Sequence, residues 1–178
     1  MKKVLIVVDY QNDFVDGALG FEGAEKLDKG IASLMEQYAK DEDGVIFCTF
    51  DTHDKNYLDT QEGKNLPVEH CIKGTNGWEL YGEVGMTEIM YPMKCTRITK
   101  NTFGSTELAS RLDRLEDVES ITLVGVVTNM CIISNAVIAK AAHPEAKIII
   151  KKDLVDSFDK ELHQKALDVM ASMQMTIE

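Results

Sequence analysis

The sequence lacks the features that would place it outside ordinary folded proteins. It holds only three prolines, and no Pro-rich or Ser-rich stretch divides its 178 residues, so one domain spanning residues 1–178, with a substantial core, is the expectation. No apolar run approaches the roughly 18 residues of a membrane span. The four cysteines, at 48, 71, 95 and 131, show no paired spacing, which argues against a disulfide framework. The opening Met1-Lys2-Lys3 leads into an apolar stretch too short for a signal peptide. Together these predict a cytoplasmic protein with reduced thiols and no membrane partner. Basic residues are outnumbered 30 to 19, for a net charge of −11, which speaks against nucleic acid as a partner. No internal repeat and no low-complexity segment is present.

What remains is an alternation of strand and helix patterns. Val4 to Val8 is a continuous apolar run ending at Asp9, the pattern of a parallel strand covered on both faces. A polar loop, Asp9 to Phe14, follows, and from about Gly23 to Lys40 apolar residues recur at helical spacing. Gly44 to Phe50 predicts a second strand ending at Asp51. The segment from Thr52 to Pro92 has little periodicity, and so long an irregular excursion usually carries function. Arg97 to Thr99 predicts a short third strand ending at Lys100, followed by a helix capped around Gly104-Ser105-Thr106. Ile121 to Val127 predicts the fourth strand and the residues from Cys131 onward its helix. Ala146 to Ile150 gives a fifth strand, residues 159–172 a last helix, and Met173 to Ile177 a sixth strand. The expected fold is therefore a three-layer α/β/α, Rossmann-like arrangement around a six-stranded, mainly parallel sheet.

In such sheets ligands bind beyond the carboxyl ends of the strands. Asp9, Asp51, Lys100 and the turn before Cys131 each fall at such an end, on four different strands. Singly each has a plainer reading: a turn-capping acid, a solvated lysine, a small buried thiol at a helix start. Their convergence favours chemistry. A cysteine needs a base and a positive charge, which Asp9 and Lys100 supply, and a helix N-terminus predicts a lowered thiol pKa. Backbone N–H groups of the turn before Cys131 are natural oxyanion donors. Asp51 and His53, with His70 arriving from the long loop and Glu62 as a fourth donor, form a set suited to a divalent metal ion, zinc first among them, although a structural role for each is open. Such an ion can hold a substrate ring nitrogen. His143 and His163 look like surface residues. Phe14 and Phe103 can pack on a planar substrate or belong to the core, and Trp78 reads as a loop anchor.

These residues resemble the isochorismatase-like cysteine hydrolase superfamily, most closely its nicotinamidase and pyrazinamidase branch. The resemblance rests on Val8 to Phe14, Gly17-Ala18-Leu19, Asp51-Thr52-His53, Pro67 with His70-Cys71, Gly74-Thr75 and Gly77, Lys100 with Phe103, and Gly125 to Cys131. It implies Asp9 as proton acceptor and donor, Lys100 as thiolate-stabilising charge and Cys131 as nucleophile. It further implies a non-proline cis peptide at Val126-Val127, an oxyanion hole from the N–H groups of Val127 and Cys131, and Asp51, His53, His70 and Glu62 as metal ligands. The activity it implies is hydrolysis of a small planar amide, nicotinamide foremost, by a homo-oligomer. A metal-independent hydrolase of an N-carbamoyl or ureido compound and a non-catalytic ligand-binding domain are the alternatives. Two departures stand out: Leu66-Pro67-Val68-Glu69-His70 is one residue longer than the usual approach to the second imidazole and lacks its tryptophan, and Asn129 stands where relatives often carry Asp.

Overall fold

The computed structural model describes residues 1–178. Six strands, β1 (Lys2–Val8), β2 (Gly44–Asp51), β3 (Cys95–Lys100), β4 (Val118–Val126), β5 (Lys147–Asp156) and β6 (Thr176–Ile177), form one sheet in the order β3-β2-β1-β4-β5-β6. Every pairing is parallel. The helices are α1 (Asn12–Val15), α2 (Asp28–Lys40), α3 (Gln61–Asn65), α4 (Gly82–Met90), α5 (Thr106–Leu112), α6 (Ile133–Ala142) and α7 (Lys160–Ser172). None is long and apolar enough to cross a membrane.

Strand β1 shows why the sheet is buried on both sides. Its side chains alternate with period two: Val4, Ile6 and Val8 enter one apolar cluster with α5, α6 and α7. Leu5 and Val7 enter another with α1, α2 and α4. All five are completely buried, which is why β1 reads as unbroken apolar sequence.

The strand order reverses at β1, whose neighbours are β2 on one side and β4 on the other. The chain turns in opposite directions beyond these two carboxyl ends and leaves a crevice between them, where doubly wound sheets bind ligands. Gly125 pairs with Val8 across that junction. Its φ of +111°, and the 2.1 Å at which a Cβ would meet the Val8 carbonyl oxygen, admit only glycine.

Four sequence expectations need correction. The stretch 52–92 is not uniformly irregular: it contains α3 and α4, the second missed because Gly82 and Gly85 interrupt it and three of its four large apolar residues, Met86, Ile89 and Met90, face outward. The helix expected to begin at Cys131 begins at Thr128 with a π-helical turn, Thr128–Ile132, before α6. Strand β5 runs six residues beyond Ile150, through the polar Lys151-Lys152-Asp153. The expected helix from Gly23 opens as a 3₁₀ turn, Ala24–Leu27, and is α-helical from Asp28.

Candidate active site

Asp9 follows β1 directly. Its backbone is left-handed, with φ at +47°, a conformation aspartate tolerates better than most residues. The side chain is completely buried. Oδ1 accepts a hydrogen bond from the Thr49 hydroxyl at 2.7 Å. Oδ2 lies 2.6 Å from the Lys100 ammonium, yet finds no well-aligned donor and is the one buried side-chain polar atom without a hydrogen bond. One oxygen of Asp9 is thus clamped and the other is free to take a proton.

Lys100 closes β3 and is buried. Its Nζ donates to the Thr102 carbonyl at 2.9 Å and to Cys131 Sγ at 3.6 Å, and stands 3.5 Å from Asp51. Burial alone would depress this ammonium. The surrounding Asp9, Cys131 and Asp51 outweigh it and hold Lys100 above its usual range. Asp9 shows the opposite balance: burial raises it above the ordinary carboxylate value, and Lys100 offsets only part of that.

Cys131 is 5% exposed. Burial pushes its thiol well above its ordinary value despite Lys100, so the lowered pKa expected from a helix start does not hold at rest. The desolvation cost exceeds what one ammonium and one helix end return. The resting group is a neutral thiol beside a carboxylate. The peptide between Val126 and Val127 is cis, as the resemblance implied, and the Val127 N–H donates to no group within the protein.

Beside this trio lies a second cluster. Asp51, at the end of β2, and His53 both come from the segment continuing that strand, Glu62 from α3 and His70 from the loop beyond. One ligand atom from each lies within 4.8 Å of all the others. His53 Nε2 and His70 Nε2 approach Asp51 Oδ2 at 3.1 and 3.3 Å. Glu62 Oε1 stands 3.8 and 3.9 Å from the same two nitrogens. The donor chemistry fits a divalent cation. His70 Nδ1 faces the Val68 carbonyl at 2.7 Å and must donate to it, so the neutral ring turns a lone pair toward Asp51. Two acceptors facing each other repel unless a cation, proton or metal, stands between them. Burial disfavours the Asp51 charge, but both imidazoles and Lys100 outweigh that and keep it ionised far below the usual carboxylate range.

Both clusters open on a cavity of about 400 Å³, whose apolar wall includes Phe14, Leu19, Leu66, Phe103, Met130 and Phe158. Phe14 and Phe103 are therefore both at the cavity, Phe14 buried and Phe103 exposed. Leu66, just after α3, contributes to that wall. Asn129 accepts a hydrogen bond from the buried Ser157 hydroxyl at 2.6 Å, which ties the π-turn to the end of β5. Trp78 is a loop anchor: its Nε1 donates to Thr52 Oγ1 at 2.8 Å and its ring packs on Phe50. His143 and His163 are not simply surface residues. Both are half-buried, His143 bonded to the Leu112 carbonyl and His163 to the Thr128 hydroxyl.

Three supporting residues escaped the sequence reading. Thr49 is the hydroxyl on Asp9, and its signal was a polar residue inside an apolar strand. Gln11 brackets Asp51, accepting from its N–H at 2.8 Å and donating to its carbonyl at 2.9 Å. Asn135, completely buried, donates to the carbonyls of Cys131 at 2.8 Å and Phe103 at 3.1 Å and accepts from Ser105 N–H at 3.1 Å. Its signal was an amide four residues after the cysteine on an otherwise apolar helical face. Asn135→Ala is expected to lower stability by about 2 to 3 kcal/mol, since it leaves buried polar groups unpaired, and to lower kcat more than it raises KM. Asn135→Asp, which sets a carboxylate against two carbonyls, should be worse. Thermal unfolding and steady-state kinetics check both, and an Asp variant as stable as the parent would show that the bridge carries nothing.

Comparison with known proteins agrees with this arrangement. The isochorismatase family protein PncA of Bacillus subtilis (strain 168) is 33% identical over 182 residues, covering 97% of this chain and 96% of that one. The crystal structure of a pyrazinamidase/nicotinamidase from Streptococcus mutans UA159 superposes with a TM-score of 0.86 at 32% identity, covering 99% of this chain and 100% of that one. The pyrazinamidase of Pyrococcus horikoshii, solved in complex with zinc, superposes with a TM-score of 0.83 at 26% identity, covering 100% and 99%. The model of the isochorismatase domain matches residues 3–178. The fold, the crevice beside β1 and a match over nearly the whole chain lead to one conclusion: this protein belongs to the isochorismatase family.

Proposed function

We propose that the protein is a cysteine amidohydrolase that converts a small planar amide, nicotinamide in the first instance, to the acid and ammonia. The observation that carries this reading is the contact of Asp9, Lys100 and Cys131 at the strand-order reversal, with one Asp9 oxygen lacking a hydrogen bond. The similarity to proteins named pyrazinamidase/nicotinamidase supports the substrate class.

Asp9 removes the Cys131 proton as sulfur attacks the amide carbon, so no free thiolate accumulates in the buried site. Lys100 balances the negative charge through the transfer. The carbonyl oxygen becomes an oxyanion at the N–H groups of Val127 and Cys131, each such donor being worth roughly 3 kcal/mol in the transition state. Asp9 returns its proton to the nitrogen, the C–N bond breaks, and ammonia leaves a thioester. Asp9 then takes a proton from water, whose oxygen attacks the thioester carbon, and acid and thiol are regenerated. Phe14 and Phe103 present flat apolar faces to a planar ring. Asp51, His53, Glu62 and His70 would hold a divalent metal ion, with zinc the first choice. When bound, it supplies a Lewis acid beside the cavity able to take a ring nitrogen.

Ammonia release from nicotinamide, pyrazinamide and an N-carbamoyl amino acid tests the reading. Turnover of the two ring amides, with the carbamoyl compound at least tenfold poorer in kcat/KM, is expected. A preference for the carbamoyl compound would reverse the substrate assignment.

A further inference from the structure

The short helix α1, just beyond β1, reaches across to the loop that carries His70. Asp13, its second residue, is half-buried, and Oδ2 of its carboxylate accepts a hydrogen bond from the Cys71 N–H at 2.7 Å. Oδ1 accepts from the Ala18 N–H at a longer 3.3 Å. Asn12 beside it donates from its side chain to the Asn76 carbonyl at 2.7 Å and from its N–H to the Glu79 carbonyl at 2.9 Å, which fastens the 76–79 turn over the carboxylate. Gly77 lies in that turn. Its backbone is not left-handed, yet a Cβ there would collide with Cγ and both carboxylate oxygens of Asp13. The missing side chain at position 77 makes room for this one group.

Cys71, the residue so held, is completely buried and has a φ of +47°, a left-handed backbone that is disfavoured for any residue with a Cβ. Its N–H goes to Asp13, and its carbonyl accepts the His53 N–H at 3.0 Å. One residue thus links the backbone of His53 to the chain leaving His70, two members of the four-donor cluster. The Cys71 N–H belongs to the peptide unit that begins at the His70 carbonyl carbon. The bond to Asp13 therefore fixes the plane of that unit, and with it the direction in which the His70 ring leaves the chain. Phe14, the next residue of α1, packs on the ring itself with centroids 5.5 Å apart.

We infer that Asp13 is a positioning residue for this cluster: it holds the Cys71 N–H so that His70 presents Nε2 to Asp51, His53 and Glu62. The inference rests on the reading of the cluster as a metal site. Asp13 is not one of the four donors, so it acts through His70, as the hydrogen-bonded supports of metal ligands do elsewhere. An ionised acceptor makes this the stronger kind of support.

Metal affinity reads the role without reference to turnover. The zinc Kd of the full chain, measured by competition with a chromophoric chelator, should rise about 10- to 100-fold in Asp13→Ala, the usual range for a ligand that loses its support. Asp13→Asn keeps an oxygen for the Cys71 N–H and should recover most of that loss. Gly77→Ala retains the charge but displaces the carboxylate, and should weaken zinc at least about tenfold. Asp16→Ala is the control: it removes an exposed carboxylate from the same loop and should leave the Kd unchanged. With cobalt(II) as the probe, the visible absorption bands, which report coordination geometry, should change shape in Asp13→Ala and not in Asp16→Ala. A parent that binds zinc and an Asp13→Ala variant with the same Kd overturn this inference alone, and a parent that binds no zinc removes the metal reading and this inference with it. An equal loss in Asp16→Ala would assign the effect to charge and overturn it too. Should Asp13→Ala fail to fold, a parental Kd in Gly77→Ala is the overturning result.

Discussion

Cys131→Ala abolishes ammonia release, with an expected loss of at least ~10⁴-fold in kcat, comparable to the loss of a nucleophile in other covalent hydrolases. Little else should change, because the side chain is small and buried, with the Lys100 ammonium and the Asp9 carboxylate as its polar neighbours. Asp9→Asn is the sharper companion. Its loss should be roughly 10²- to 10⁴-fold, the range for a general base, and it should also alter the pH profile. Burial holds Asp9 above the ordinary carboxylate range. Activity therefore needs the carboxylate ionised and falls as pH drops through this raised pKa. The acid limb should lie at higher pH than an exposed aspartate would give, and the Asn variant's residual rate should lack it. An acid limb unchanged in Asp9→Asn would remove Asp9 from its role, and full activity in Cys131→Ala would remove the thioester. Asp9→Asn also leaves Lys100 without its closest counter-charge, so its fold must be checked by thermal unfolding before the kinetics are read.

The second large effect concerns the four-donor cluster. Protein purified without chelator is expected to carry close to one equivalent of divalent metal. A cation that binds only the folded chain stabilises it by about 4 kcal/mol when present at a thousand times its dissociation constant, which for a chain of this length is a shift of roughly 8 to 16 °C in Tm. Stripping with chelator should lower Tm by that order and adding zinc should restore it. His53→Ala should abolish the metal-dependent shift, which calorimetry reads without reference to turnover. Less than a tenth of an equivalent bound, with no zinc-dependent change in Tm, would leave Asp51, His53 and His70 as a structural network and favour the metal-independent reading.

How much of this was legible in the sequence depended on whether burial or geometry controlled the feature. β1, β2 and the apolar part of β4 are sandwiched between helices, so apolar runs marked them, and their ends placed Asp9 and Asp51 correctly. Strand-order reversal at β1 was not legible, because periodicity says nothing about which strand lies beside which. Helix α4 hid because its outward stripe imitates a buried face while two glycines break its pattern. The metal-ligand types could be listed, but their approach to within 4.8 Å depends on how Gln11 and the Trp78 loop hold Asp51 and its surroundings. The thiol pKa was misjudged for a physical reason: a helix start and a lysine are visible in sequence, whereas the depth at which they are buried is not. Asn135 and Thr49 show the same limit, since a polar residue on an apolar element declares itself only once its partners are known.

The pairing of Val8 with Gly125 also governs when a site can exist at all. β1 and its second neighbour in the sheet, β4, are separated by more than a hundred residues, so β1 is made well before β4. Until β4 docks, one edge of β1 offers unpaired N–H and C=O groups to solvent and to other chains. Asp9 meanwhile has no Cys131 beside it. A contact between residues so far apart must pay its loop-closure entropy before it returns any packing. The reactive centre should thus be among the last parts of the molecule to assemble, and a nascent chain stopped short of Cys131 would hold a base and an ammonium with nothing to act on.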